Sequence, residues 1–390
     1  MRRVGVEERR ARLAIRHGLT TPLSSPVEAA DAMVGLHSSD PATVFLSCWA
    51  RVEGFQPADL ETALYTDKSL LRILGMRRTM WVVPTPFAHV VNSSSTIAHA
   101  DYQRRRTQQL IESSGVTNKG KEWVRQVSEA TIAALNSRGE ATARELTEDV
   151  PEFAEQIPYY KKDGSLTGTF GMSTRILFLL STEGRIVRTR PKGTWISSQY
   201  RWALMETWLD NDLEIIDQAS AQADTLRLWL HAFGPATEFD MKWWSGWTMG
   251  QVRKTLATLE AVEVELDEGV GYLLPDDTEP VAAPDSWVAL LPGLDPTTMG
   301  WKQRDWYLGD RGDQLFDRNG NGGPSVWVNG ELVGGWAQRK GGEVVVELVQ
   351  DVGQEASDAI GVRAGQLQSW LGEIRVTPRF RSPLDKRLSA

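Results

Sequence analysis

One pattern of helix and ribbon signals recurs three times along this chain, and no other feature limits its possible folds so tightly. In the first occurrence residues 7–19 read as a basic amphipathic helix. Ser25 and Pro26 open a second helix that runs to Leu36, and Asp40-Pro41 opens a third through Val52, stopped by Gly54. Serine and aspartate cap helices by accepting from free backbone N–H groups, and proline suits the first turn because its missing N–H would have no partner there. Ala29, Met33 and Leu36 fall on one helical face. Pro57 opens a short fourth helix. The apolar or β-branched runs at 70–74 and 79–83, separated by Gly75-Met76-Arg77-Arg78, then make a two-stranded ribbon in which Arg77 and Arg78 lead into the second strand. Helices followed by such a ribbon read as a winged helix-turn-helix.

Residues 86–112 read as one long connecting helix carrying Arg104-Arg105-Arg106. The pattern then returns. Residues 122–136 are helical, Thr142 caps 143–150, 158–168 is a polar loop or hairpin, 172–183 is a helix, and strands at 185–190 and 194–200 flank Pro191-Lys192-Gly193. A third copy has helices at 221–233, 238–244 and 249–259, the last two capped by Thr237 and Thr248, and strands at 262–266 and 271–274. After Pro284 the signals change to strands at 287–291, 325–328, 332–337 and 343–348, with Asn329-Gly330 as a hairpin turn, and a helix at 354–372. The expected fold class is mainly α with an α+β C-terminal part: three tandem winged helix-turn-helix motifs, then a small β-rich segment. The expected divisions are 1–85 (first winged helix), 86–210 (connecting helix and second winged helix), 211–285 (third) and 286–390 (C-terminal part).

Charge separates these copies. The net charge of −8 argues against a generally basic surface, but the acids and bases are segregated. Residues 185–201 hold Arg185, Arg188, Arg190, Lys192 and Arg201 with no acid, and the tail from Arg375 to Arg387 is basic, whereas 260–285 is acidic throughout. The second wing therefore suits phosphates and the third does not. No apolar run approaches the roughly 20 residues needed to span a bilayer, and the first residues lack the apolar segment of a signal peptide, so a cytoplasmic monomer without membrane contact is expected. The single cysteine, Cys48, excludes an internal disulfide and a cysteine-rich zinc site. His17, His89, His99 and His231 lack ligand spacing, so no metal or cofactor is expected. Sixteen tryptophans, three of them (Trp243, Trp244, Trp247) at helical spacing, read as core. The polar run 317–323 reads as turn chemistry.

Between the second and third helices, Leu36-His37-Ser38-Ser39-Asp40-Pro41 places an imidazole and two hydroxyls at a corner. This segment, with Leu46-Ser47-Cys48-Trp49-Ala50-Arg51, Met76-Arg77-Arg78-Thr79-Met80-Trp81-Val82-Val83, Leu294-Asp295-Pro296 and Leu332-Val333-Gly334-Gly335-Trp336, resembles the bacterial tandem winged-helix DNA glycosylases of the AlkZ/YcaQ type over nearly the whole chain. The resemblance implies a channel for double-stranded DNA lined by the winged helices, excision of N-alkylated purines, and no metal. Where that family carries Gln-x-Gln or Gln-x-Asp, this chain carries His37-Ser38-Ser39.

Excising an alkylated purine needs a water held at the anomeric carbon, since the cationic base already leaves readily. A neutral His37, with an ordinary pKa near 6.5, suits accepting the water's proton, and Ser39 suits orienting it. Asp40 is an N-cap or a supporting charge facing the cationic sugar. Arg77, Arg78, Arg188, Arg190, Lys192, Arg379 and Arg381 are the candidate DNA contacts, by charge and by position on wings and tail. Two function classes stay open: a DNA glycosylase, and a non-catalytic winged-helix DNA-binding protein such as a regulator or a damage-shielding factor.

Overall fold

The computed structural model describes residues 1–160, 163 and 165–390, the side chains at 159 and 160 excepted. The chain is mainly helical, with several small sheets. One order of elements occurs three times: helix, very short strand, two helices, hairpin, with a further hairpin between the two helices of the second copy. The three copies begin at the helices Pro26–Ala32, Gly120–Arg138 and Gln218–Phe233. Their short strands are Leu36–His37, Glu140–Thr142 and Ala236–Thr237, and each pairs with the second hairpin strand, so every sheet runs short strand, second strand, first strand. In the third copy Arg2–Arg3 adds a parallel strand on the far edge, pairing with Val264 and Glu265. The C-terminal part is a four-stranded antiparallel sheet, Val288–Leu291, Ser325–Val328, Glu331–Gln338 and Val344–Leu348, against which the helix Gln354–Leu371 packs. Asn329 and Gly330 make its first hairpin turn, both at positive φ, as their pairing predicts. No helix among the described residues is long and apolar enough to cross a membrane.

The structure corrects several expectations. The second helix stops at Ala32, not Leu36. Val34 (φ 54°) and Gly35 (φ 112°) turn the backbone left-handed, and Leu36–His37 leaves as a strand. A side chain at Gly35 would meet Val83 Cγ1 at 2.9 Å, so glycine alone lets this turn lie on the sheet. Arg77 and Arg78 do not begin a strand. They form the left-handed turn of the hairpin (φ 54° and 57°), and the strand starts at Met80. In the second hairpin the strand runs Tyr200–Leu204, while residues 194–199 form a loop from which Trp195 packs against Phe45 and Trp370 at 4.8 and 5.8 Å. Burial against a neighbouring unit outweighs the strand propensity of this run. Of the stretch 158–168, residues 158–160 and 166–168 belong to a hairpin, Gln156–Tyr160 with Leu166–Gly171, and residues 161, 162 and 164 lie outside those described.

The expected long helix at 86–112 is broken. Ala88–Val91 and Ala100–Ser113 are α-helical, but Asn92–Thr96 is a π-turn and Ile97–His99 a 3₁₀-turn. The cause is its polar run. Thr96 Oγ1 donates to the Asn92 carbonyl (3.0 Å) and to its Oδ1 (2.8 Å), while Trp247 Nε1 donates to the Ser94 carbonyl (3.0 Å), so side chains compete for the helix ladder.

Among the described residues there are two large hydrophobic cores and a small third one. One large core lies within the second copy; the other joins the first copy, the third copy and the C-terminal part and takes in Trp195 and part of the second hairpin; the small one joins Val4 to the third hairpin. Trp81, Trp229, Trp244 and Trp327 are fully buried in the larger core. Each such ring removes on the order of 200 Å² from water, roughly 5 kcal/mol before entropic costs. A buried polar clamp crosses this core. Arg51 donates to both Asp295 oxygens (2.9 and 2.6 Å) and to Thr297 Oγ1 (2.8 Å), while Ser47 Oγ donates to Asp295 (2.7 Å). Burial pushes the Asp295 carboxyl up, but Arg51 and these hydrogen bonds hold it below the usual range. The motifs around Arg51 and Asp295, far apart in sequence, are thus the two halves of one contact.

Candidate functional site

The corner is built by the edge strand. Leu36 pairs with Val82 and His37 with Trp81, and the Ser38 N–H donates to the Met80 carbonyl at 2.8 Å. Asp40 then starts the helix Pro41–Arg51: its Oδ1 accepts from the Ala42 N–H (3.1 Å), and its Oδ2 accepts from the Arg379 N–H of the tail (2.8 Å). Burial raises the Asp40 pKa against both hydrogen bonds. This carboxylate is therefore a helix cap that also fastens the C-terminal tail to the corner.

His37 and Ser39 lie in different surroundings. His37 is only 4% exposed and meets the Trp81 ring edge-on at 5.1 Å. Burial, and secondarily the Arg77 charge, push its pKa down to about 3, so the imidazole is neutral near pH 7. Its Nδ1 has no hydrogen-bond partner among the described residues, nor has the buried Ser38 hydroxyl. Ser39 instead forms part of the wall of a cavity of about 410 Å³ between the first hairpin, the second copy and the tail. Arg78, Arg188 and Arg379 bring three guanidiniums to that wall, and Phe178, Trp202 and Phe380 bring rings. The volume falls within the roughly 300–1,000 Å³ that encloses small-molecule-sized groups. His37 does not line it.

The other candidate cations separate as sharply. Arg77 points away from its neighbour Arg78 and stacks on Trp243 of the third copy at 4.1 Å. Burial there, with Arg304 nearby, pushes its pKa down to about 10. The turn that holds it fits closely, since a side chain at Gly246 would meet Arg77 Cγ at 3.3 Å. Arg188 lies between the rings of Tyr200 and Trp202, at 5.2 and 4.8 Å, and burial pushes its pKa down to about 10 as well. Arg190 pairs with Glu61 and covers Tyr65 (4.8 Å), bracing the second copy against the first. Lys192 is exposed in a neighbouring groove. Arg381 is held inside the tail by Asp385 at 2.6 Å. The structure thus gathers Ser39, Arg78, Arg188 and Arg379, and disperses Arg77, Arg190 and Arg381. Phe178, Trp202 and Phe380 were not picked out by sequence; only Trp202, on the strand of a basic wing, carried a signal in its position.

Comparison with known proteins supplies the frame for this geometry. A model of the family described as "DNA glycosylase AlkZ-like" matches residues 30–370. The chain belongs to the AlkZ-like DNA glycosylase family, which gives it a DNA glycosylase-like function with DNA as its partner. Among solved structures it is similar to the Streptomyces sahachiroi DNA glycosylase AlkZ, with a TM-score of 0.74 and 20% identity over 97% of this chain and 99% of that one, a likeness of fold. No curated protein matches the chain.

Proposed function

We propose that the chain is a monofunctional glycosylase for N-alkylated purines in duplex DNA, built from three tandem winged helices (1–85, 86–210 and 211–285) and a C-terminal α+β part (286–390). The observation that carries this reading is Ser39 in a cavity wall that also includes Arg78, Arg188 and Arg379. A purine alkylated at N3 or N7 is already cationic. When its bond to C1′ breaks, the electron pair passes to the ring and the base leaves neutral. Water then bonds to C1′ and yields an abasic site. In this scheme Ser39 holds that water, the guanidiniums seat the strand through its phosphates, and Asp40 keeps corner and tail together. His37 backs the corner against Trp81 without lining the cavity, and the proton of the water that bonds to C1′ passes to solvent.

The test is release of 7-alkylguanine from DNA carrying methyl or bulky adducts, followed for the wild type, Ser39→Ala and His37→Ala. Ser39→Ala is expected to slow release by about 100-fold, the lower end of what a group acting on the reacting water contributes. No release by the wild type from either adduct, with DNA binding intact, would favour the second reading, a non-catalytic DNA-binding protein. One observation supports that alternative: His37 is packed on Trp81 rather than open to the cavity.

A further inference from the structure

We propose that the groove beside the second hairpin is an oxyanion subsite anchored by Arg188, which takes the phosphodiester adjoining the nucleotide seated at Ser39. This inference rests on the glycosylase reading for its placement. The groove, about 600 Å³, is lined by Arg144, Lys192 and Tyr200 among others, and it shares Ala143, Arg188 and Trp202 with the Ser39 cavity. One guanidinium therefore belongs to both walls. A phosphate bound there lies next to whatever fills the cavity.

The surroundings of Arg188 suit an anion. Among the described residues its side chain has no hydrogen-bond or carboxylate partner, and its Nε is buried without one. The Tyr200 and Trp202 rings fix the plane of the guanidinium. Behind Tyr200, Arg72 stacks on the same ring at 4.6 Å. It is 1% exposed, and among the described residues its hydrogen-bond partner is the neutral Tyr65 hydroxyl at 3.0 Å, with its Nε and Nη2 unsatisfied. Two guanidiniums thus share one aromatic stack with no carboxylate in contact, an arrangement unfavourable by itself and relieved by an arriving negative charge. Among the described residues the Tyr200 hydroxyl is also buried without a partner.

Of the acids in the groove, Glu148 pairs with Arg138 at 3.1 Å, while Glu145 accepts from the Thr142 N–H (2.7 Å) and Oγ1 (2.8 Å) and keeps its charge near Lys192. Arg144 and Lys192 are exposed at the rim and extend the positive field along the groove. A planar fork with two further cations lining the same groove fits the repeated oxyanions of a phosphodiester chain better than a single carboxylate.

The test uses the full chain, with Arg188→Met and Arg188→Lys. Duplex binding is followed by anisotropy across a salt series, and thermal melting is compared in pyrophosphate and in sodium chloride of equal ionic strength. Arg188→Met should bind duplex about ten-fold more weakly, with the slope of log K against log salt reduced by about one, and Arg188→Lys should recover part of both. Pyrophosphate that stabilises the wild type but not Arg188→Met would show that the subsite also takes a free oxyanion. Weakened duplex binding with no pyrophosphate effect would show that it takes only the strand. Unchanged duplex affinity and slope in Arg188→Met, with an unchanged response to pyrophosphate, overturns the proposal. Should Arg188→Met fail to fold by circular dichroism, the exposed pair Arg144→Met and Lys192→Met replaces it. Together these should lower the salt slope by about two, and an unchanged slope overturns the proposal equally. All of these readouts are binding or melting, so loss of base release with intact binding would sink the glycosylase reading and leave the subsite standing.

Discussion

The hairpins of the second and third copies share one topology and use charge in opposite ways. The second, Ile186–Pro191 with Tyr200–Leu204, leaves Arg188 without a partner and opens onto a groove and a cavity. The third, Val262–Leu266 with Gly269–Leu273, is acidic, and its outer edge is closed by the strand Arg2–Arg3. Arg3 pairs there with Asp267, and Arg9 with Glu268, while Arg12 and Arg16 turn to Asp277. The basic N-terminal helix therefore spends its charge inside the molecule. One scaffold leaves a cation unpaired in the first case, where we propose that a polyanion binds, and serves as a brace in the second, and the difference lies in whether its charges find partners within the chain. An edge strand that is covered is also protected from pairing with other chains.

This contrast can be broken from either side, and the largest effect is expected in the braced half. Arg51→Met would leave Asp295 buried without its counter-ion, and urea unfolding should show a loss of about 3–5 kcal/mol with DNA affinity at native conditions unchanged. Acid should act on the same half. His17, held by Thr297 and the Ala232 carbonyl, is pushed down to about 3 by burial and then by Arg51, much as His37 is. An unfolded histidine binds its proton below about pH 6.5, so unfolding takes up protons between that value and about 3. Stability should therefore be full above pH 6.5 and fall as pH drops, by roughly 2 kcal/mol per histidine at pH 5, with His37→Phe removing one share of that dependence. Arg9→Met removes the partner of Glu268 and a cation 4.2 Å from the Trp306 ring. A cost of about 2 kcal/mol is expected in the same unfolding measurement, again without an effect on DNA. The smallest change in stability should come from the open side: Arg188→Met, which breaks no ion pair, should shift the unfolding midpoint by the equivalent of about 0.5 kcal/mol or less. If Arg188→Met costs as much stability as Arg9→Met, the two hairpins are both braces and the contrast fails.

Much of the fold was legible in sequence because its signals are local. Ser25, Asp40, Thr142, Thr237 and Thr248 all cap the helices they were expected to cap, and Asn329-Gly330 makes its turn. The three short strands were not legible. Two or three residues carry no periodicity, and they are strands only because a hairpin from later in the chain pairs with them. The run Asn92–Thr96 misled for a related reason, since its hydroxyls and carbonyls are claimed by Asn92 and by Trp247 from another unit. At the candidate site, residue type was readable at the corner and on the basic wing, but orientation was not.

By itself the sequence determined the threefold recurrence, the acidic character of the third hairpin and the presence of an imidazole and a hydroxyl two residues apart, because caps, apolar spacing and charge are properties of neighbouring residues. Only the tertiary structure decided that Ser39 meets the cavity while His37 lies against Trp81, and that Arg188 is free while Arg9, Arg51 and Arg190 are bound. Those outcomes depend on strand register and on charge pairs that span up to 259 residues, and such contacts exist only once distant segments have packed together.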